Sequence, residues 1–169
     1  MERIQKAAEE TPEARFTAAV AEYGHAMFRA ARAILDSDAD AEDAVGEAVL
    51  RAWQSFGGLR RAEAARAWLI KITVNCAYEQ RRKGIRVTYT DDLEAVADTT
   101  VADTVCEGLW DAVLRLPEDH RIVVALFYYE DMPVRQIAKI LGVAQGTVKS
   151  RLSRARTGLK KLLQEEGGV

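Results

Sequence analysis

The sequence predicts an all-α protein with two small helical domains that are joined by a flexible acidic linker. Apolar residues recur at three- and four-residue steps along most of the chain, and no alternating pattern of a β-strand competes with them. Charge is also divided along the 169 residues into a basic, an acidic and a second basic stretch, although the net charge of the whole chain is only -2. These observations predict a first domain over 12–87, a linker over 88–106 and a second domain over 107–165.

Three helices are predicted in the first domain. Apolar residues at 20–35 form one helical stripe, and a second stripe at 41–56 is followed by Gly57 and Gly58, where glycine commonly ends a helix. A third helix is predicted over 63–83. Its apolar stripe consists of Ala65, Leu69, Ile72 and Cys76. Three such stripes can enclose one small hydrophobic core.

The segment 88–106 interrupts this pattern with threonines, aspartates and small apolar residues. It is the predicted acidic linker. A second helical group begins near Glu107 and continues past Pro117. Proline is tolerated in the first turn of a helix, and the carboxylates of Glu118 and Asp119 suit the positive end of the helix dipole. The spacing therefore predicts that a helix starts at these residues.

Residues 133–156 have the spacing of a helix-turn-helix. The buried face of its first helix is predicted to consist of Val134, Ile137, Ala138 and Leu141. Gly142 then supplies the tight turn, because glycine tolerates the backbone angles that such a turn requires. The inward residues of the following helix are Val148, Leu152, Ala155, Leu159 and Leu162. This arrangement is typical of domains that place a helix in the major groove of DNA.

The opposite face of that following helix is basic, and residues 133–161 contain no Asp or Glu. An ordinary solvated face remains the alternative, although such a face usually mixes the two signs through i,i+4 pairs. Lys and Arg side chains bond phosphates and base edges in the major groove. The outward residues are Lys149, Ser150, Arg151, Ser153, Arg154, Arg156 and Lys160. Repressors, activators and response regulators all use this motif.

A second basic face lies on the third helix of the first domain. It carries Lys71, Asn75, Tyr78 and Arg82 at steps of four, three and four residues. Cations that alternate with an aromatic ring and an amide suit nucleic acid, because cations meet phosphates and rings stack on unpaired bases. A solvated face with one amphipathic tyrosine is the alternative.

The outer face of the second helix has a different character. It consists of Glu42, Asp43, Gly46, Glu47 and Leu50, so that one leucine stands among carboxylates. This composition indicates a partner protein with a basic, partly apolar surface. A single exposed leucine without any partner is the alternative.

Catalytic and metal-binding patterns are not found in the sequence. His25 and His120 lack a nearby nucleophile or ligand set, and no glycine-rich phosphate loop occurs. Cys76 and Cys106 lack CxxC spacing and are predicted to be reduced structural thiols. The chain is therefore not expected to be an enzyme or to hold a cofactor or metal. No apolar run of about 18 residues occurs, and the first residues lack a secretion signal, so a cytoplasmic protein is expected.

Three stretches resemble bacterial extracytoplasmic-function sigma factors. They are "DADAEDAVGEAVLRAW" at 38–53, "RAWLIKITVNCAYEQRRK" at 66–83 and "LPEDHRIVVALFYYEDMPVRQIAKILGVAQGTVKSRLSRAR" at 116–156, in the order of that family. The resemblance implies a transcription initiation factor that binds core RNA polymerase and directs it to particular promoters. The first domain would recognise the minus-10 element and help to melt it, and the second would recognise the minus-35 element.

The resemblance also implies roles for single residues. Core polymerase would be bound by Asp40, Glu42, Asp43, Glu47, Leu50 and Trp53, the last as support that faces the hydrophobic core. The minus-10 contacts would come from Arg60, Arg61, Trp68, Lys71, Asn75, Arg81 and Arg82. The minus-35 contacts would come from Gln145, Thr147, Lys149, Ser150, Arg151, Ser153, Arg154 and Arg156. The loop 57–65 matches the segment that captures a flipped base.

The partners implied in this way are core RNA polymerase, promoter DNA and an anti-sigma factor, without membrane insertion. The acidic linker is expected to pass through the polymerase toward the path of RNA exit. Two residues depart from the family. Gly46 stands where glutamine is frequent, and Ala144 stands where Ser or Thr commonly caps the recognition helix.

Two alternatives stay open at this point. The chain could be a helix-turn-helix regulator that binds duplex DNA without polymerase and uses its first bundle for sensing or dimerisation. It could also be an interaction module held by an anti-sigma factor, which would bury the same surfaces. Dependence on core polymerase distinguishes the regulator from a sigma factor.

Overall fold

The computed structural model describes residues 11–58, 64–87 and 107–167, and these residues form helices joined by short turns. The all-α prediction is confirmed. The helices are α1 Pro12–Ile34, α2 Asp38–Ser55, α3 Ala65–Val87, α4 Glu107–Leu114, α5 Glu118–Val124, α6 Val134–Leu141 and α7 Gln145–Gly167. The predicted linker, Cys106 and the loop with Arg60 and Arg61 lie outside the described residues.

Helices α1 to α3 form the first group, and polar caps fix where its first two helices begin. Thr11 Oγ1 accepts a hydrogen bond from the Ala14 N–H at 3.2 Å, and Ser37 Oγ accepts one from the Asp40 N–H at 3.1 Å. Alanine is the most frequent buried residue in these three helices, so the helix axes can approach closely. The fully or almost fully buried alanines of these helices are Ala30, Ala31, Ala33, Ala41, Ala44, Ala48, Ala52 and Ala77.

An aromatic corner closes one end of this group. The ring of Phe16 lies 5.2 Å from that of Trp53 and 5.1 Å from that of Phe56, and Phe56 lies 6.4 Å from Trp68. The prediction that Trp53 faces the core is wrong, because 43% of this residue is exposed. Position 53 lies at the edge of the alanine stripe, where the ring covers Phe16 instead of entering the core.

Helices α4 to α7 form the second group, in which a π-helical turn, Ala125–Tyr129, follows α5. It ends where the Glu130 N–H donates to the Ala125 carbonyl at 3.1 Å. Asp131 then adopts a positive φ of 51°, which Asp tolerates better than most residues. The turn directs the Glu130 side chain toward the first group.

The predicted helix-turn-helix is present as α6 and α7. Gly142 ends α6 in the left-handed region, with φ 66° and ψ 36°. Val148, Leu152 and Ala155 are buried as predicted, while Leu159 and Leu162 are half-buried. On α6, Ile137 and Ala138 are buried as predicted.

Substitution of Gly142 by alanine is expected to lower the free energy of unfolding by about 1–2 kcal/mol. A Cβ there would meet no atom within 4 Å, so the cost comes from the backbone angles alone. Gly146→Ala is the matched control, because it also has free space but lies within α7, where alanine is favoured by up to about 1 kcal/mol. Urea denaturation should show a lower free energy of unfolding for Gly142→Ala and a higher one for Gly146→Ala. Equal changes in the two variants would contradict this explanation.

The two groups pack against each other and share one cluster of buried side chains. Helix α1 contacts α5, and α3 contacts α6. The stripe predicted for α3 was therefore too narrow, because Ile70, Val74 and Ala77 form a second buried face on that helix. The second group contributes to the shared cluster Ile122, Val123, Leu126, Met132, Ile137 and Ile140. The sequence had predicted two domains separated by a linker, without this contact.

Candidate nucleic-acid and protein interfaces

The outward face of α7 is the first candidate interface. It stands opposite the buried residues Val148, Leu152 and Ala155, which anchor the helix. Of the predicted contacts on this helix, Thr147 and Arg151 are half-buried. The exposed ones are Gln145, Lys149, Ser150, Ser153, Arg154 and Arg156. The face is therefore available along about three turns of helix.

The cations of this face differ in their surroundings. Within the described part of the chain, Lys149 and Arg154 form no ion pair with a carboxylate. Arg156 Nε donates to the Tyr128 hydroxyl at 2.5 Å, and its guanidinium lies 5.7 Å from the centre of that ring. Arg151 Nη2 lies 3.7 Å from Asp119 Oδ2. Lys149 and Arg154 are the cations best placed to bind an anion.

The N-terminal end of α7 lacks a side-chain cap. Ala144 accepts backbone hydrogen bonds from Thr147 and Val148 through its carbonyl, at 3.1 and 3.2 Å, but it has no side-chain oxygen. The Thr147 hydroxyl does not replace the cap in the contacts described, and the Thr147 carbonyl accepts from Ser150 Oγ at 3.1 Å. The sequence has Ala144 where Ser or Thr would cap the helix, and the structure likewise shows no side-chain cap at this end of α7.

A second candidate interface lies on α3. Lys71, Asn75 and Arg82 are exposed on one side of the helix, while Trp68 is half-buried against Phe56. Beside them is an open cleft of about 380 Å³. Its lining consists of Arg51, Ser55, Ile72, Asn75, Tyr78, Glu79 and Arg82. The cleft combines cations, an amide and a phenol ring, which are groups that bind nucleotides.

An ion-pair network fixes one wall of this cleft. Arg51 donates to Glu47 Oε1 at 2.9 Å and to Glu79 Oε2 at 2.8 Å. The hydrogen bond from Arg51 lowers the pKa of Glu79, and the hydrogen bonds to both carboxylates raise the pKa of Arg51. Because these hydrogen bonds favour the charged forms of Arg51 and Glu79, the network is a stable ionic link between α2 and α3.

Arg81 does not join the exposed face of α3. Its guanidinium donates to the Ile34 carbonyl at 3.1 Å and pairs with the carboxylate of Glu118 in the second group. Arg60 and Arg61 lie outside the described residues. Of the predicted minus-10 residues that are described, the structure therefore brings together Trp68, Lys71, Asn75 and Arg82.

The outer face of α2 is the third candidate interface. Asp43, Glu47 and Leu50 follow one another at helical steps, and 62% of Leu50 is exposed. Glu42 and Asp40 are also exposed, and the Asp40 carbonyl accepts from Gln80 Nε2 at 2.9 Å. The predicted combination of carboxylates around an exposed leucine is present.

Comparison with known proteins decides between the alternatives. The family model for Sigma-70 region 2 matches residues 19–87, and the one for Sigma-70, region 4 matches residues 106–159. The ECF RNA polymerase sigma factor SigL of Mycobacterium tuberculosis is 36% identical over 154 residues, which cover 86% of this chain and 87% of SigL. The chain belongs to the ECF RNA polymerase sigma factors.

This sigma factor has further relatives of similar length. SigM of Mycobacterium tuberculosis is 34% identical over 81% of this chain and 71% of its own. The sigma factor RpoE of Bartonella quintana, solved in complex with the anti-sigma factor NepR, superimposes with a TM-score of 0.74 at 28% identity, covering 88% and 96% of the two chains. CnrH, solved with the cytosolic domain of CnrY, shares the fold with a TM-score of 0.63 at 23% identity, covering 95% and 94%.

Membership of this family assigns the function. The sigma factor is a transcription initiation factor that binds RNA polymerase and directs it to promoters. A helix-turn-helix regulator that works without polymerase does not explain the match to region 2, which falls on the first group.

Several residues of this sigma factor's surfaces were not singled out in the sequence. Arg51 follows Glu47 by one helical turn, so the i,i+4 pair could have been predicted, but its bond to Glu79 depends on tertiary packing. Phe16 precedes the predicted stripe by one turn and supports Trp53. Glu130 was missed entirely, although it is the most buried carboxylate described, because no local pattern marks its distant partners.

Three other observations concern the described residues of this sigma factor. Among residues 11–58, 64–87 and 107–167, no three His, Cys, Asp or Glu side chains converge into a metal site. No described helix has the length together with the hydropathy that a membrane span requires. Cys76 is buried in the first group, and this burial raises the pKa of its thiol.

Proposed function

We propose that this sigma factor uses three separate surfaces during initiation: the outer face of α2 for core polymerase, the exposed face of α3 for minus-10 DNA and the outward face of α7 for minus-35 DNA. The corresponding domains are 12–87 and 107–165, joined by the acidic linker 88–106. The observation that carries the proposal is the separation of two basic helix faces from one acidic and apolar face.

The minus-35 surface is supported by the exposure and charge of α7. Lys149 and Arg154 project from a helix whose other side is anchored in the second group, and neither has a carboxylate partner in the part of the chain described. Such a helix fits the major groove, where Arg can bond a guanine edge and Lys a phosphate. Gln145, Ser150 and Ser153 add exposed hydrogen-bonding groups on the same helix.

The minus-10 surface is supported by the exposed side chains of α3. Lys71 and Arg82 can neutralise phosphates, and the Asn75 amide lies between them on the cleft. Melted DNA exposes base edges and ring faces, which an amide and aromatic side chains can bind. The loop with Arg60 and Arg61 is proposed to hold a flipped base of the same strand.

The core-binding surface is supported by the composition of α2. Four exposed carboxylates precede the exposed Leu50 on this helix, so a basic surface with an apolar recess would be complementary. Trp53 extends the apolar part of this surface, since it is exposed and not in the core. The residues concerned are Asp40, Glu42, Asp43, Glu47, Leu50 and Trp53.

Further parts of the proposal concern partners and location. RpoE of Bartonella quintana was solved with an anti-sigma factor, and an anti-sigma factor is proposed to bind this chain as well. The chain is proposed to act in the cytoplasm, where RNA polymerase and promoters are found. It contributes binding and positioning without catalysis of its own, and no cofactor is assigned to it.

Transcription of a promoter library by core polymerase with this sigma factor tests the proposal. Positions around minus 10 and minus 35 are randomised, and the transcripts reveal the preferred bases. Asn75→Ala is expected to weaken base preference at minus-10 positions by about 1–3 kcal/mol per base and to leave minus-35 preferences unchanged. Gln164→Ala is the control, because it removes an exposed amide near the end of α7. It should leave the base preferences at both minus-10 and minus-35 positions unchanged. A change at minus 35 alone, or no change, would show that the α3 assignment is wrong.

A further inference from the structure

One carboxylate lies within the basic face of α3 that is proposed to bind minus-10 DNA. Asn75, Glu79 and Arg82 follow one another at steps of four and three residues and line the same cleft. The Glu79 side chain is 38% exposed. DNA carries one negative charge per phosphate, so an uncompensated carboxylate here would repel the strand that Arg82 attracts. The proposed DNA surface therefore requires a group that compensates the charge of Glu79.

Arg51 of α2 is the group that compensates this carboxylate. Its Nη2 donates to Glu79 Oε2 at 2.8 Å. This hydrogen bond is the largest cause of the lowered pKa of the Glu79 carboxyl, and the charges of Lys83 and Arg82 lower that pKa further. Among the residues that the structure describes, neither Lys83 nor Arg82 forms an ion pair with Glu79. Because Arg51 provides the hydrogen bond, Arg82 remains available for a phosphate.

A second hydrogen bond orients the Arg51 guanidinium. Its Nε donates to Glu47 Oε1 at 2.9 Å, one helical turn earlier on α2. A planar guanidinium that donates to two carboxylates in fixed directions has little freedom to rotate. Arg51 therefore holds the Glu79 carboxylate against α2, away from a strand that binds along α3.

A purely structural role for Arg51 is the alternative, because its bond to Glu79 also connects two helices. The contact between α2 and α3 is provided by buried apolar side chains. In contrast, the Arg51 and Glu79 side chains are 39% and 38% exposed. Exposed ion pairs contribute little to the free energy of folding. The position of the pair beside Asn75 and Arg82 therefore favours a role at the DNA surface.

We propose that Arg51 is a positioning residue for minus-10 DNA: it compensates the charge of Glu79, so that the sugar-phosphate backbone of the melted strand can reach Arg82. Arg51 itself does not contact the DNA. Loss of Arg51 leaves an unpaired Glu79 beside the strand, whereas loss of both charges removes the repulsion as well. The inference rests on the proposed role of the α3 face in minus-10 binding.

The test is a double-mutant cycle in the complete complex of core polymerase and sigma factor. Arg51→Gln, Glu79→Gln and the double variant are compared with the wild type at saturating core polymerase. Fluorescence anisotropy measures binding of a labelled single-stranded oligonucleotide that carries the minus-10 sequence selected from the library, at several salt concentrations. Circular dichroism during heating verifies that each variant is folded. A matched control cycle uses Arg115 and Glu166, which form another exposed ion pair, inside the second group.

Arg51→Gln is expected to bind the oligonucleotide about fivefold more weakly than the wild type at low salt, because one uncompensated charge lies near the strand. The difference should decrease as the salt concentration rises, since salt screens exposed charges. The double variant should regain at least the affinity of the wild type, and Glu79→Gln alone should also bind at least as tightly. Arg115→Gln, alone or with Glu166→Gln, should bind like the wild type.

Three outcomes would overturn the inference. One is an Arg51→Gln variant that binds like the wild type. Another is a folded double variant that binds as weakly as Arg51→Gln, which would mean that Arg51 contacts the DNA itself. The third is a loss of affinity that is equal at all salt concentrations, which would indicate altered packing instead of charge repulsion.

Asn75→Ala, measured in parallel, distinguishes a failure of the inference from a failure of the proposed function. If the wild-type complex binds the oligonucleotide and Asn75→Ala weakens this binding, the α3 surface is correct whatever the result for Arg51. If the wild-type complex does not bind the oligonucleotide, the α3 surface and the inference fail together.

Discussion

Substitution of Leu50 by aspartate is expected to weaken binding to core polymerase by about 2 kcal/mol or more, which is a loss of about thirtyfold. Leu50 is 62% exposed at the C-terminal end of a carboxylate-rich face, so an apolar recess of the partner would bury it. The new carboxylate would be desolvated there without a partner. Titration of labelled sigma factor with core polymerase measures the affinity, and transcription at subsaturating core should decrease in proportion.

Leu163→Asp is the control for this substitution. Leu163 is another exposed leucine, 43% accessible near the end of α7, and it belongs to none of the proposed surfaces. The same change of chemistry there should leave core affinity as in the wild type. If Leu50→Asp retains wild-type affinity, or if both variants lose it equally, the outer face of α2 is not the site of docking.

Removal of the Arg154 side chain is expected to weaken recognition of the minus-35 element by the polymerase complex by about 1–3 kcal/mol. Arg154 is exposed on the outward face of α7 and has no carboxylate partner in the described part of the chain, so its guanidinium can reach a base edge. Promoter duplexes with single base changes around minus 35 measure the effect. If Arg154 reads a base, Arg154→Ala should lose the preference at one base pair only.

A phosphate contact by Arg154 would give a different result. Binding would then weaken about equally for all sequences, and the slope of log affinity against log salt would decrease by about one. Lys161→Ala is the control, because it removes one exposed positive charge from the same helix outside the proposed contacts. Unchanged affinity together with an unchanged salt slope would exclude Arg154 from the interface.

Local signals in the sequence were sufficient to predict the helices and the helix-turn-helix. Pro117 with Glu118 marks the start of α5, and Gly142 ends α6, because both depend on backbone rules that act over a few residues. The packing of the two groups could not be predicted in this way. Apolar residues at three- and four-residue steps predict one buried face for a helix. Helix α3 has a second one, because it also buries Ile70 and Val74 against the second group.

The exposed members of the candidate surfaces were also predictable. Lys149 and Arg154 are exposed because they stand opposite buried residues of the same helix, and Leu50 is exposed for the same reason. The pairing of Arg81 with Glu118 and of Arg151 with Asp119 was not predictable, because each pair joins residues distant in sequence. The orientation of Trp53 depended on Phe16, which lies on another helix.

The π-helical turn after α5 makes the contact of Glu130 with Arg29 and Arg66 depend on chain length. Each residue advances a helix by about 100°, so one residue inserted or deleted within Ala125–Tyr129 would rotate Glu130 to another side of the domain. Arg29 and Arg66 would then lose their common acceptor although every charged side chain was retained. Two homologues with identical ionic residues could therefore differ in how their two helical groups are joined, through a single-residue insertion or deletion that a comparison of charges alone would miss.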